Sequence, residues 1–100
     1  MTLVYITCKD KREAERISMR LLRKRLIACA NIFPVSSMYR WNKKIIKDNE
    51  NVVIAKTKDK NFKRIVAEVK KMHSYQIPCI LKIDAEANKD YERWANKEMR

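Results

Sequence analysis

From Leu3 to Ile6 four apolar residues follow one another without alternation. Both faces of a short strand would then be apolar, as in a central strand covered on two sides. Asp10 opens a helix, and Glu13 stands where a capping-box partner belongs. Ala14, Ile17 and Leu21 recur at helical spacing with Leu22 beside them, while Arg12, Arg16, Arg20 and Arg23 hold the other side. That is the pattern of an amphipathic surface helix.

The chain turns apolar again from Leu26 to Val35, and Pro34 marks an edge or a bulge because it cannot donate a ladder hydrogen bond. Ser36 to Trp41 continues extended, Asn42-Lys43-Lys44 reverses the chain, and Ile45-Ile46 begins a return that runs through Val52 to Thr57. Together these predict a long β-hairpin. Asp59 is the next N-cap candidate, before a stripe of Phe62, Ile65, Val66, Val69 and Met72. A loop from His73 to Pro78 leads to a last apolar strand, Cys79 to Ile83. Asn88 or Asp90 then caps a helix with Tyr91, Trp94, Ala95 and Met99 on its inner side.

The order is β-α-β-β-α-β with an added C-terminal helix, an α+β domain of ferredoxin-like topology spanning residues 1–100. Right-handed crossovers place the first two helices on one face of the sheet. Val4 and Ile6, Leu3 and Tyr5, Val53 and Ala55, and Ile80 with Cys79 and Leu81 offer apolar groups to both faces, so the face without these helices is too apolar for one short helix to cover. Association between copies is the expected remedy, with open strand edges as further contact.

Composition sharpens this in four ways. First, 46% hydrophobic residues in 100 supply one packed core. Second, no apolar run reaches the ~20 residues needed to cross a bilayer, and the first residues read as a strand and not a signal peptide. Third, Cys8, Cys29 and Cys79 are widely spaced and odd in number, hence three small buried hydrophobes and not a disulfide framework. Fourth, the net charge of +12 is spread over several elements, which favours a solvated basic surface over a nucleic-acid site. Glycine is absent. Turns needing a positive φ then fall to residues such as Asn42 and Asn49.

Several segments share an order and spacing with one family. They are Leu22-Arg23-Lys24-Arg25-Leu26-Ile27-Ala28-Cys29-Ala30-Asn31, Ser37-Met38-Tyr39-Arg40-Trp41, Glu50 before Ala55-Lys56-Thr57, His73-Ser74-Tyr75-Gln76-Ile77-Pro78 and Tyr91-Glu92-Arg93-Trp94. Along nearly its whole length the chain resembles the CutA divalent-cation tolerance family. The resemblance implies a tightly packed homotrimer in the cytoplasm, linked to tolerance of divalent metals such as copper. Its trimer is similar to that of the nitrogen-regulatory signalling proteins, which bind effectors between subunits, although a shared fold does not transfer a ligand. Two departures stand out: Lys43 where the family usually has glycine, and Ser74 where it usually has proline.

His73 is the only histidine and, by the resemblance, lies near a copper position; Cys29 could add a thiolate. One histidine makes a poor metal cage, and a loop histidine bonded to its neighbours is the plainer reading. Tyr39, Trp41, Glu50, Lys56, Tyr75 and Trp94 form an inter-subunit cleft if the family arrangement holds. They make either a small anionic-ligand pocket with Lys56 as its charge, or interface packing with a Glu50–Lys56 ion pair.

Enzyme chemistry finds little to stand on. Asp10, Asp48, Glu50 and Asp84 show no paired spacing, Ser36, Ser37 and Ser74 lack a nucleophile turn, and phosphate loops need glycine. The sequence thus points to a non-catalytic trimer of metal-ion tolerance, with copper or another divalent ion as a possible ligand and no required cofactor. The alternatives are a nucleic-acid-binding sheet, for which Tyr5 alone is thin support, and a purely structural trimer. No specific nucleic acid and no membrane partner is expected.

Overall fold

The computed structural model describes all 100 residues. β1 (Thr2–Cys8) leads to α1 (Lys11–Arg23), then to β2 (Cys29–Trp41) and β3 (Lys44–Thr57). A short 3-10 turn at Asp59–Asn61 precedes α2 (Phe62–Met72), followed by β4 (Ile80–Asp84) and α3 (Lys89–Glu98). The sheet order is β2-β3-β1-β4 with every neighbouring pair antiparallel, which is the ferredoxin-like topology.

The core lies between one face of the sheet and the two crossover helices. Val4, Ile6 and Cys8 of β1 and Val53 and Ala55 of β3 meet Ala14, Ile17 and Leu21 of α1 and Ile65 and Val69 of α2. These positions repeat every second residue in the strands and every third or fourth in the helices, so each element turns one apolar side inward. The opposite sheet face carries Tyr5 beside Ile54 and Leu81, and Leu3 beside Ile83. Leu81 is 51% and Ile83 44% exposed. Tyr91 of α3 meets Lys56 at one end of this face, and the middle stays open.

Pro34 sits in β2, an edge strand, where its missing N–H costs no ladder bond. β3 is one continuous strand from Lys44, longer than the sequence pattern indicates. The hairpin reverses at Asn42 and Lys43 with φ of 48° and 66°, the paired positive values that suit the right-handed twist of the flanking strands. Asn49 lies inside β3 and needs no such geometry. The third positive φ, 57°, belongs to Arg25.

Arg25 ends α1. Its N–H donates to the Leu22 carbonyl and the Leu26 N–H to that of Leu21, the paired closure that requires a left-handed residue. The Arg25 side chain then reaches α3, with Nε donating to the Glu98 carbonyl at 3.1 Å and Nη2 to that of Lys97 at 2.9 Å. A strained backbone position thereby ties down the last turn of the C-terminal helix.

Two expected caps differ. The Asp59 carboxylate accepts from Lys82 Nζ at 2.7 Å instead of capping α2. Asn61, at the N-cap position, donates its Nδ2 to the buried Leu26 carbonyl, which also takes the Thr57 hydroxyl. Burial of that carbonyl demands partners, and the demand outweighs the cap. Asn88 precedes α3 without a side-chain capping bond. Asp10 caps α1 as its position predicts, accepting from the Glu13 N–H at 2.8 Å.

Candidate functional site

The loop of residues 73–79 joins α2 to β4 and lies against the end of β1 and the middle of β3. His73 closes α2 by donating its N–H to Val69. Its ring then bonds on both sides: Nε2 lies 2.8 Å from the Thr7 carbonyl and Nδ1 3.0 Å from the Tyr75 N–H. A carbonyl only accepts and an N–H only donates, so the ring is held neutral with its proton on Nε2.

Glu13 completes the anchor. It is fully buried on α1. Its Oε1 accepts from the Lys9 N–H and its Oε2 from the Ser74 N–H, both at 2.9 Å. This replaces the expected capping-box bond to the Asp10 N–H. Burial works against the carboxylate, but the bonds from Lys9 and Ser74 outweigh it and hold the carboxyl below its usual value. Cys8 stands beside this pair, and burial, then the Glu13 charge, pushes its thiol up to about 12.

Ligand atoms of Cys8, Glu13 and His73 lie within 4.8 Å of one another. A divalent ion would accept such a mixed donor set. The Nδ1 lone pair of His73 and Glu13 Oε2 are, however, already engaged in fixing the loop, and Glu13 Oε1 holds the Lys9 N–H. His73 and Glu13 are a fastener first.

Cys29 does not belong to this group. It pairs across the ladder with Lys56, which pairs with Leu3, whereas His73 meets Thr7 at the other end of β1. Within one chain the two expected metal residues therefore do not converge. Cys29 and Cys79 are half-buried, and only Cys8 is the fully buried hydrophobe that the sequence suggests for all three.

The six expected cleft residues divide likewise. Tyr39, Trp41, Glu50 and Tyr75 line one cleft of about 560 Å³ at the root of the hairpin, with Thr7, Met38 and Ile77. Tyr75 donates its hydroxyl to Glu50 Oε2 at 2.5 Å, and Tyr39 donates to Asp48 at 3.3 Å. Burial and the Glu50 carboxylate push the Tyr75 phenol well above its ordinary value. Glu50 itself is only 6% exposed.

Lys56 lies six residues along β3 from Glu50, about 20 Å at strand spacing, so the Glu50–Lys56 ion pair does not form. Lys56 Nζ sits 5.3 Å from the centre of the Tyr91 ring, which tilts against Trp94 at 5.5 Å. Burial and the Cys29 thiol raise the Tyr91 phenol. Lys56 and Tyr91 line a second hollow of about 360 Å³ with Met1 and Leu3. Glu13, Cys8 and Asp48 are the site residues that the sequence pattern leaves unmarked.

The family description "CutA1 divalent ion tolerance protein" matches residues 2–98. The chain belongs to the CutA family. The divalent-cation tolerance protein CutA of Archaeoglobus fulgidus is 44% identical over 95 residues, covering 94% of this chain and 93% of that protein. Its counterpart from Pyrococcus horikoshii is 37% identical over 99 residues, covering 98% and 97%. The crystal structure of CutA1 from Pyrococcus horikoshii superposes with a TM-score of 0.96 at 36% identity, over 100% of this chain and 99% of that one. A structure described as the periplasmic divalent cation tolerance protein CutA from Archaeoglobus fulgidus gives 0.94 at 43% identity, covering 98% of each. The PII-like protein CutA from Nostoc, at 21% identity and 0.91, shares the fold. No helix of this CutA chain is long and apolar enough to cross a membrane.

Proposed function

We propose that this chain is a non-catalytic, self-associating protein of divalent-cation response that binds a small ligand in the cleft at the root of its hairpin. The observation that carries the reading is the position of that cleft. It is walled by the anchored loop on one side and by exposed hairpin residues on the other, Met38 at 69% and Trp41 at 43%. Copies that cover Leu81, Ile83 and the hairpin would bring a neighbour to the rim of the site. Three copies is the number that the family resemblance implies, and the pseudo-continuous apolar face supplies the driving force.

The divalent-ion part of the reading falls on Cys8, Glu13 and His73. Copper entering there takes His73 from Thr7 or Tyr75, so ion binding and loop release are one event. Copper titration followed by amide signals of the 73–79 loop tests this. Saturable binding with loop release, lost in His73→Ala, supports the site; equal, weak binding by both forms removes it. Three free cysteines suit a reducing cytoplasm. A nucleic-acid role on the open face has only Tyr5 as a stacking residue and is the weaker reading.

A further inference from the structure

We propose that the cleft at the hairpin root takes an organic cation, a substituted ammonium group seated against Glu50 and walled by Tyr39, Trp41 and Tyr75. The inference rests on the reading above that this cleft is the ligand site, and it names the class of ligand.

The starting point is a contradiction of charge. The chain carries a net +12, yet none of the eleven residues lining this cleft is basic. The one charged group there is Glu50, and Asp48 stands behind the Tyr39 hydroxyl. A buried carboxylate is costly unless it is paired or hydrogen-bonded. Glu50 has a single side-chain partner: Oε2 takes the Tyr75 hydroxyl, while Oε1 takes none of the chain's hydrogen bonds.

The walls select among cations. Aromatic faces attract a cation through their ring quadrupole, more strongly when water is excluded. A bare divalent ion prefers several charged or strongly donating ligands, and Glu50 is the one carboxylate in a lining whose other polar groups are neutral, those of Thr7, Ser37, Ser74 and Gln76 among them. Met38, Trp41 and Ile77 would instead cover the alkyl groups of a substituted ammonium. An anion would meet Glu50 with no positive side chain among the lining residues. Lys56, expected to supply that charge, sits at the other end of β3.

The test uses the full chain in its native assembly. Trp94→Phe leaves Trp41 as the only tryptophan, and its emission reports on the cleft. Choline, the neutral carbon isostere of choline, acetate and copper are titrated in turn. Choline should give a saturable change at a midpoint at least about tenfold lower than its neutral isostere. Glu50→Gln, confirmed folded by its melting curve, should erase that preference. Equal midpoints for choline and the isostere overturn the proposal without reference to any Glu50 variant. A saturable response to acetate or copper alone overturns the organic cation and keeps the ligand cleft. No response to any probe overturns both.

Discussion

Glu13 and Ser74 stand 61 residues apart in sequence and are joined by a hydrogen bond of 2.9 Å, from the Ser74 N–H to Glu13 Oε2. Because the other oxygen takes the Lys9 N–H, a single buried carboxylate satisfies two backbone donors and fixes the loop that walls the cleft. Glu13→Ala leaves both donors unpaired and should cost about 2–4 kcal/mol. Denaturant unfolding checks the size. The folded carboxyl titrates below its unfolded value, so its stabilisation is complete above about pH 4.5 and is lost as pH falls through the folded value. Glu13→Gln should flatten that acid limb, and an unchanged limb would remove Glu13 as its source.

At the alkaline end Cys8 governs. Its thiol ionises near 9 in the unfolded chain and near 12 in the fold. The native form therefore keeps a proton that the unfolded form has lost, and stability declines as pH rises from about 9 toward 12. Tyr75, also raised, acts in the same direction. Cys8→Ala should reduce the decline. In native protein near neutral pH a thiol reagent should modify Cys29 and Cys79 well before Cys8.

Lys43 holds a φ of 66° in a two-residue turn. A side chain in the left-handed region costs about 1 kcal/mol that glycine does not incur. Lys43→Gly should stabilise the protein by up to that amount, read from the shift in unfolding midpoint. Arg25 is the contrasting case. Arg25→Gly relieves similar strain but loses two bonds to α3, so the change should be close to neutral or unfavourable.

Leu81 marks the centre of the uncovered face. Sedimentation at micromolar concentration should show a multimer, and Leu81→Glu should shift it toward single chains. A wild-type chain that sediments as a stable monomer would remove self-association.

Much of the fold is legible because each element has a one-sided or two-sided apolar pattern: the unbroken run in β1, the stripes of α1 and α2, Pro34 on an edge. The site is less so. Glu13 reads locally as a helix-start residue, yet it lies four and eight residues before Ile17 and Leu21, on the buried stripe. That spacing was the available sign of a buried carboxylate, and its partner Ser74 comes only from the tertiary fold. Asp59 failed as a cap because Lys82 lies opposite it across two elements. Lys56 and Glu50 share a strand face, and only the straightness of β3 separates them. Arg25 carries no sequence sign of its left-handed geometry, which among residues other than glycine falls mostly to Asn and Asp.

Only Asn51–Thr57 of β3 pairs with β1; from Lys44 to Glu50 the hairpin is a two-stranded arm. Such a ribbon has little stability of its own in water. The arm carries Met38, Tyr39, Trp41 and Ile45, all exposed in the single chain. Its order then depends on what it rests against, and dilution should quicken amide exchange at its tip before it reaches the core strands. Concentration itself becomes a setting for how much of the ligand wall exists.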